Sequence, residues 1–87
     1  MANVISADPT PNENAMKFTM SGRISESGKT FSSAEAAQSN NIAKAVFALG
    51  GVKSVFMVAD FVTVTKFPEA SWDELAQRVW AAIDAAA

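Results

Sequence analysis

The most informative feature of this sequence is what it lacks. Its 87 residues include no cysteine and no histidine. Without cysteine there is no disulfide, no thiolate nucleophile and no iron–sulfur site of the usual kind. Without histidine there is no imidazole base and no zinc site with the usual ligands. Carboxylates, amides, hydroxyls and amines remain, and we predict a chain that binds no cofactor of its own.

Excess positive charge and long apolar runs are also missing. The formal net charge is −2, which disfavours nucleic acid, because that affinity comes mainly from Lys and Arg neutralising phosphates. No apolar run approaches the about 18 residues that a membrane-spanning helix requires. The stretch MANVISAD lacks the basic and apolar regions of a secretory signal. We therefore expect a cytosolic chain that binds neither nucleic acid nor membranes.

The composition is that of a folded domain. Hydrophobic residues make up 49% of the chain and charged residues 18%, which is typical of a chain with one hydrophobic core. A chain of this length buries about 60–65% of its unfolded surface. We expect a single domain over residues 1–87, and we expect it to be a monomer.

The first half of the chain predicts strands joined by turns. A short apolar run at residues 3–7 and the polar stretch DPTPNEN predict a first strand and then a turn. At residues 15–20, Met16, Phe18 and Met20 alternate with Ala15, Lys17 and Thr19, a pattern typical of a half-buried strand. Residues 21–28 predict a loop, and residues 29–31 a short strand.

Two helices are predicted, each from a serine that can act as N-cap and from the apolar residues that follow it at helical spacing. SSAE at residues 32–35 fits a capping box that starts a turn, and Ser39 is the expected N-cap of a helix over residues 40–49. Gly50 and Gly51 end this helix. SWDE at residues 71–74 is a second capping box. Trp72 is expected in the core of the second helix's stripe, and Trp80 half exposed.

The clearest segment, VKSVFMVADFVTVTKF, predicts a hairpin. A loop of two residues (59–60) or of four (58–61) pairs Met57 with Val62, although Ala–Asp is not a preferred tight turn. One face is then aliphatic, with Val55, Met57, Val62 and Val64. We predict an α+β fold of two layers, a small, mostly antiparallel sheet with two helices packed on the aliphatic face.

The opposite face of the sheet, here called the open face, is the candidate binding surface. Its predicted residues are Lys17, Thr19, Ser54, Phe56, Thr63 and Thr65, with Thr10, Asn12 and Asn14 in the neighbouring loop. Exposed aromatics beside polar groups are typical of protein interfaces. Alternatively, the asparagines only stabilise the turn, Lys17 is a solvated strand residue, and the loop over residues 21–30 covers Phe56. A partner can also add a strand at a free edge.

The carboxylates predict neither a metal site nor catalysis. Asp73 and Glu74 are explained by helix capping, Asp60 by the hairpin turn, and Glu69 by the loop before the helix. There is no clustered D-x-D or E-x-x-H pattern for a metal ion. There is also no base–nucleophile pair, so we predict that the chain is not an enzyme.

Two stretches and the tryptophan that starts the last helix resemble a known family. The stretches are TPNENAMKF at residues 10–18 and SSAEAAQSNNIAKAVFALGGVKSVFMVADFVTVTK at residues 32–66. Together they resemble the N-terminal domain of NifU-like (Nfu) iron–sulfur scaffold proteins, over residues 4–83. The resemblance implies an α+β module in proteins that assemble or deliver iron–sulfur clusters.

One motif of the full-length family members is missing. In them, the resemblance implies, the cluster sits on a C-x-x-C motif in a separate C-terminal domain. With no cysteine, this chain is expected to be a stand-alone copy of the N-terminal domain that holds no cluster. We predict a non-enzymatic accessory module that binds a protein partner of iron–sulfur cluster assembly. The alternative is weak, direct iron binding through carboxylate and amide oxygens.

Overall fold

Five antiparallel strands form one sheet in the computed structural model, which describes residues 3–87 and, of residues 25–27, only the backbone. The strands are β1 (Val4–Pro9), β2 (Ala15–Met20), β3 (Ser25–Phe31), β4 (Val52–Ala59) and β5 (Phe61–Lys66). Their order in the sheet is β1-β2-β5-β4-β3. The helices are α1 (Asn41–Phe47) and α2 (Trp72–Ala86), preceded by a short 3-10 turn, Ala36–Ser39. The predicted α+β fold is confirmed.

The β4–β5 hairpin has the predicted register. Val58 pairs with Phe61 and Met57 with Val62, across a loop of two residues. Ala59 takes a φ of 53°, because the favoured two-residue turns need a positive φ at their first position. The alanine side chain makes this conformation unfavourable, by about 1–2 kcal/mol. The regular pairing on both strands sets the loop length in spite of that cost.

The two edge strands are longer than the sequence predicts. β1 extends to Pro9, which an edge strand tolerates because proline's missing N–H need not face a neighbour. β3 begins at Ser25 rather than at residue 29. It pairs with β4 on one side only, with a register shift between Ser25 and Lys29. A polar edge strand has no alternating apolar pattern, so the sequence predicted a loop there.

The first helix starts one residue later than predicted and ends two residues earlier. Its N-cap is Asn40, not Ser39: the Asn40 Oδ1 accepts the Ala43 N–H at 3.0 Å. Gly50 and Gly51, with φ of 79° and 77°, follow the helix as expected. Asparagine and serine are equivalent N-caps by sequence, so the side chain that reaches the third N–H decides the start.

The other two predicted caps are present in part. Residues 32–35 lead only into the 3-10 turn, where the Ser33 Oγ, rather than that of Ser32, accepts the Ala36 N–H at 3.1 Å. In α2 the Ser71 Oγ accepts the Asp73 N–H at 3.2 Å. Both acidic residues of the first turn follow it, where the helix dipole favours them.

The core lies between the aliphatic face of the sheet and the two helices. The sheet contributes Phe18, Met20, Val55, Met57, Val62 and Val64, and the helices Ile42, Ala43, Val46, Leu75, Val79 and Ile83. Trp72 was expected in the core but is half-buried like Trp80, with its ring centroid 6.3 Å from that of Phe18. In the part of the chain described, no helix is long and apolar enough to cross a bilayer.

Candidate protein-binding surface

The structure brings the six predicted strand residues together on the open face. Strand pairing aligns Lys17 with Thr63 and Thr63 with Phe56. A neighbouring row aligns Thr65 with Ser54, and Thr19 lies opposite Phe61. Paired residues of antiparallel strands point to the same face of a sheet. The hairpin register and the alternation in β2 therefore place these side chains side by side.

Phe61 is a member of this surface that the sequence reasoning missed. The Lys17 Nζ lies 4.5 Å from the centroid of the Phe61 ring, within the range of a cation–π contact. The Phe56 and Phe61 rings are 6.5 Å apart between centroids and tilted by 53°, a favourable geometry for an aromatic pair. The signal was available, because alternation in β5 from Thr63 back by two residues reaches Phe61.

Phe56 is partly exposed to solvent. Its side chain is 37% exposed. Gly28 in β3 runs alongside the ring: a Cβ at this glycine would lie 3.3 Å from a Phe56 ring carbon. The segment predicted to be a covering loop is thus partly an adjacent strand, and it leaves one side of the ring exposed to solvent.

One row of side chains crosses all strands of the sheet. From β1 to β3 it runs Asp8, Lys17, Thr63, Phe56, Thr30. Opposite charges lie side by side at the β1 end, and an aromatic ring with hydroxyl neighbours lies at the β3 end. A central aromatic group with a polar surround is the arrangement that protein interfaces use for an anchor residue.

The side chains of Thr10 and Asn12 form hydrogen bonds that build the Thr10–Asn14 loop. The Thr10 Oγ1 lies 2.9 Å from the Asn12 carbonyl oxygen and 3.1 Å from that of Ala15. The Asn12 Oδ1 accepts the Asn14 N–H at 2.9 Å. These bonds build the turn before β2, as the alternative interpretation of the asparagines predicted. A role for the loop in binding stays a prediction.

Lys66 is a second residue whose environment the sequence reasoning missed. It is only 7% exposed, because alternation in β5 puts it on the core side with Val62 and Val64. Its Nζ donates to the Asn14 Oδ1 at 3.0 Å and lies 3.5 Å from the Phe67 carbonyl oxygen. The second asparagine of the loop thus binds a buried lysine.

The acidic residues do not form a metal site in the described part of the chain. Among those residues, no three acidic, histidine or cysteine side chains lie close enough to hold an ion. Glu69 and Glu74 instead line, with Arg78, a cavity of about 290 Å³ between the end of α1 and the start of α2.

Comparison with known proteins decides the family. The model of the family described as "Scaffold protein Nfu/NifU N terminal" matches residues 5–87. The chain belongs to this family. It is 38% identical over 80 residues to NifU-like protein 5, mitochondrial, of Arabidopsis thaliana, covering 91% of this chain and 29% of that protein. It is 37% identical over 81 residues to the NFU1 iron-sulfur cluster scaffold homolog, mitochondrial, of Drosophila erecta, with the same two coverages.

Solved structures agree with the fold of this Nfu/NifU N-terminal domain. The crystal structure of protein SAV1430 from Staphylococcus aureus is 33% identical, with a TM-score of 0.80, covering 92% of this chain and 96% of that one. A NifU-like protein from Saccharomyces cerevisiae has a TM-score of 0.81 at 21% identity, covering 95% of this chain and 77% of that one. The second match supports the fold alone.

The comparison confirms the predicted family and corrects the predicted location. The expectation of a cytosolic protein is wrong, because the curated relatives are named as mitochondrial proteins. That expectation depended only on the absence of a secretory signal and of a membrane-spanning run. Neither feature distinguishes the cytosol from mitochondria. The chain also spans less than a third of the length of these relatives.

Proposed function

We propose that this Nfu/NifU N-terminal domain is a non-enzymatic interaction module that assists iron–sulfur cluster assembly by binding an assembly protein through its open face. Membership of a scaffold family supports a role in iron–sulfur cluster assembly. The observation that carries the proposed surface is the exposed Phe56 beside Phe61 and Lys17.

The chemistry of the open face suits a protein partner. Phe56 offers an exposed ring whose burial against a partner releases water from apolar surface. The cation–π contact with Lys17 fixes the Phe61 ring next to it. Thr63, Thr65 and Ser54 supply hydroxyl groups that can donate or accept hydrogen bonds at the rim. This combination favours a folded protein surface over a small ion.

The proposal assigns partner binding and cluster binding to different domains. Without cysteine or histidine, residues 1–87 act as one domain that recognises a partner, and cluster ligands come from elsewhere. The scaffold relatives have more than two thirds of their length outside the match. In this proposal the cluster site is supplied by a C-x-x-C domain outside this chain, as the resemblance to the full-length scaffold proteins implies.

We expect Phe56→Ala and Lys17→Glu to reduce the capture of iron–sulfur assembly proteins by the immobilised domain. Bound proteins from a lysate of the source cells are identified by mass spectrometry. The matched controls are Phe67→Ala, at another exposed phenylalanine (42%), and Lys53→Glu, at another exposed lysine. If both open-face variants recover the same proteins as wild type and controls, the open face is not the interface.

Iron binding by this chain alone is the competing proposal, and no cluster of ligands in the described residues favours it. We expect that adding ferrous iron to ¹⁵N-labelled protein produces no saturable change in the backbone NMR spectrum. Carboxylates scattered over the surface hold hard ions too weakly for a defined site. Saturable shifts grouped around carboxylates would instead identify an iron site and weaken the interaction proposal.

A further inference from the structure

The two edges of the sheet differ in how well their outward backbone N–H and C=O groups can pair with an added strand. Residues of an antiparallel strand direct their N–H and C=O groups alternately to one neighbour and to the other. The Met20 N–H donates to the Asp60 carbonyl at 2.6 Å, and the Lys66 N–H to that of Asn14 at 2.7 Å. Even-numbered residues of β5 therefore face β2, and odd-numbered residues face β4. This fixes the direction of the backbone groups wherever the strand pairing is regular, that is, outside the register shifts.

At the β3 edge, two residues direct their backbone groups away from the sheet. Phe56 pairs with Thr63 and so faces β5, which leaves Met57 and Val55 to face β3. Their partners, Lys29 and Phe31, face back towards β4. Thr30, between them, therefore points its N–H and C=O outwards. Gly28 lies on the Phe56 side of the sheet like Thr30. Its carbonyl points outwards, because it is trans to the inward-facing N–H of Lys29 in the same peptide group.

The β1 edge is blocked. By the same alternation Asp8 and Ser6 face β2, so the outward positions are Val4, Ala7 and Pro9, with a register shift between Val4 and Ser6. The Val4 N–H donates to the Asp84 Oδ1 of α2 at 2.6 Å, and Pro9 has no N–H. Natural proteins protect edge strands with bulges, proline and covering elements, and β1 has all of them.

The β3 edge has only one of these devices, a register shift between Ser25 and Lys29, and the pairing of residues 29–31 after it is regular. It has no proline, and of the elements that the structure describes, only β4 packs extensively against it. Its outward groups at Gly28 and Thr30 are spaced two residues apart, which is the spacing of the ladder in an antiparallel sheet. We propose that this edge accepts an extended segment of the partner protein as a sixth strand. The inference rests on the proposed function, that the chain binds a protein.

The side chains at this edge specify the segment. Lys29 lies between the two outward positions and is exposed, so an acidic side chain directly opposite it is favoured. Gly28 has no side chain to screen Phe56, and an apolar side chain opposite Gly28 can reach over it to the exposed part of that ring. The fitting segment therefore carries an apolar residue next to an acidic one.

The same lysine disfavours a second copy of this chain as the occupant. A two-fold pairing of two β3 strands that uses both Gly28 and Thr30 places Lys29 opposite the same lysine of the copy. Like charges directly opposite each other destabilise a strand pair. The edge is complementary to an acidic strand and not to itself.

A peptide selection tests this inference. We expect a phage-displayed library of random peptides, selected on the wild-type domain, to yield peptides with an apolar–acidic pair. A synthetic copy of the selected peptide should slow amide exchange at Thr30. Thr30→Pro should weaken its binding about twofold to tenfold, because one backbone hydrogen bond is lost. The matched control Ala7→Pro removes the equivalent outward N–H at β1 and should leave binding unchanged.

Charge reversal adds a second readout. Lys29→Glu should weaken the acidic peptide up to about fivefold, and replacing the peptide's acid with lysine should restore binding. Selection of no peptide, or equal binding by the Thr30→Pro and Ala7→Pro variants, would overturn the inference. So would a concentration-dependent dimer that Thr30→Pro abolishes, which would indicate self-pairing.

The lysate experiment separates this inference from the proposed function. If Phe56→Ala loses assembly proteins while Thr30→Pro keeps them, the edge is not the docking site and the open face is. If even the wild-type domain captures no assembly protein, the proposed function itself fails, whatever peptides the edge accepts.

Discussion

Replacing Phe18 with alanine should lower the free energy of unfolding by about 3–5 kcal/mol, the typical cost of removing a buried phenylalanine side chain. Phe18 is fully buried in the middle of the sheet, paired with Ala7 on one side and Val62 on the other. Its ring also contacts Trp72 at the start of α2. The substitution leaves a cavity where sheet and helix meet, and neither layer can close it alone.

Urea unfolding followed by tryptophan fluorescence measures this effect, since Trp72 and Trp80 both lie on α2. Phe67→Ala is the matched control: the same atoms are removed from a side chain that is 42% exposed. Surface substitutions usually change stability by no more than about 0.5 kcal/mol. Equal losses for the two variants would contradict the placement of Phe18 at the centre of the core.

Replacing Asn14 with alanine should cost about 1.5–3 kcal/mol, the range for a hydrogen bond to a charged group. The Asn14 Oδ1 is the nearer of two acceptors of the Lys66 ammonium, which is almost fully buried. Without the amide, this ammonium keeps only the longer contact to the Phe67 carbonyl. A buried charge that loses its partner is one of the costliest local changes in a protein.

A double-mutant cycle isolates this contact. Asn14→Ala should cost less in a Lys66→Met background, because no buried charge is then left without an acceptor. The control is Asn12→Ala, which removes an exposed bond to the Asn14 N–H and should be insensitive to the residue at position 66. An equal cost of Asn14→Ala in both backgrounds would show that the asparagine acts on the turn alone.

The sequence predicted the strands that have one buried face and one exposed face. Aliphatic and hydroxyl residues separate cleanly along residues 54–65, and any other register would mix them, so the hairpin and the open face could be read in advance. Lys66 was missed because lysine is almost never fully buried without a partner. Its partner, Asn14, lies 52 positions away, and sequence spacing carries no signal for such a contact.

The edge strands and the N-cap of α1 were the weak points of the prediction. β3 pairs on one side only, and residues 29–31 were predicted as a strand, but the polar residues 25–28 before them are not separated from a loop by anything in the sequence. Ser39 and Asn40 are both good capping residues, and only the folded backbone selects between them. Phe61 was left out of the surface because it lies next to the hairpin loop. The family and the role in iron–sulfur cluster assembly were predicted from the resemblance. The residues alone indicated only a small α+β domain with a candidate binding surface.

The hydrogen bond from Val4 to Asp84 has a consequence for the order of events during synthesis. It joins residues 80 positions apart, so β1 is secured by α2, a helix that the ribosome makes after all five strands. Until α2 is made, the outward N–H of Val4 has no acceptor from that helix, and β1 is a more open edge than in the finished domain. Protection of this edge against pairing with other chains is therefore acquired only when α2 has been made.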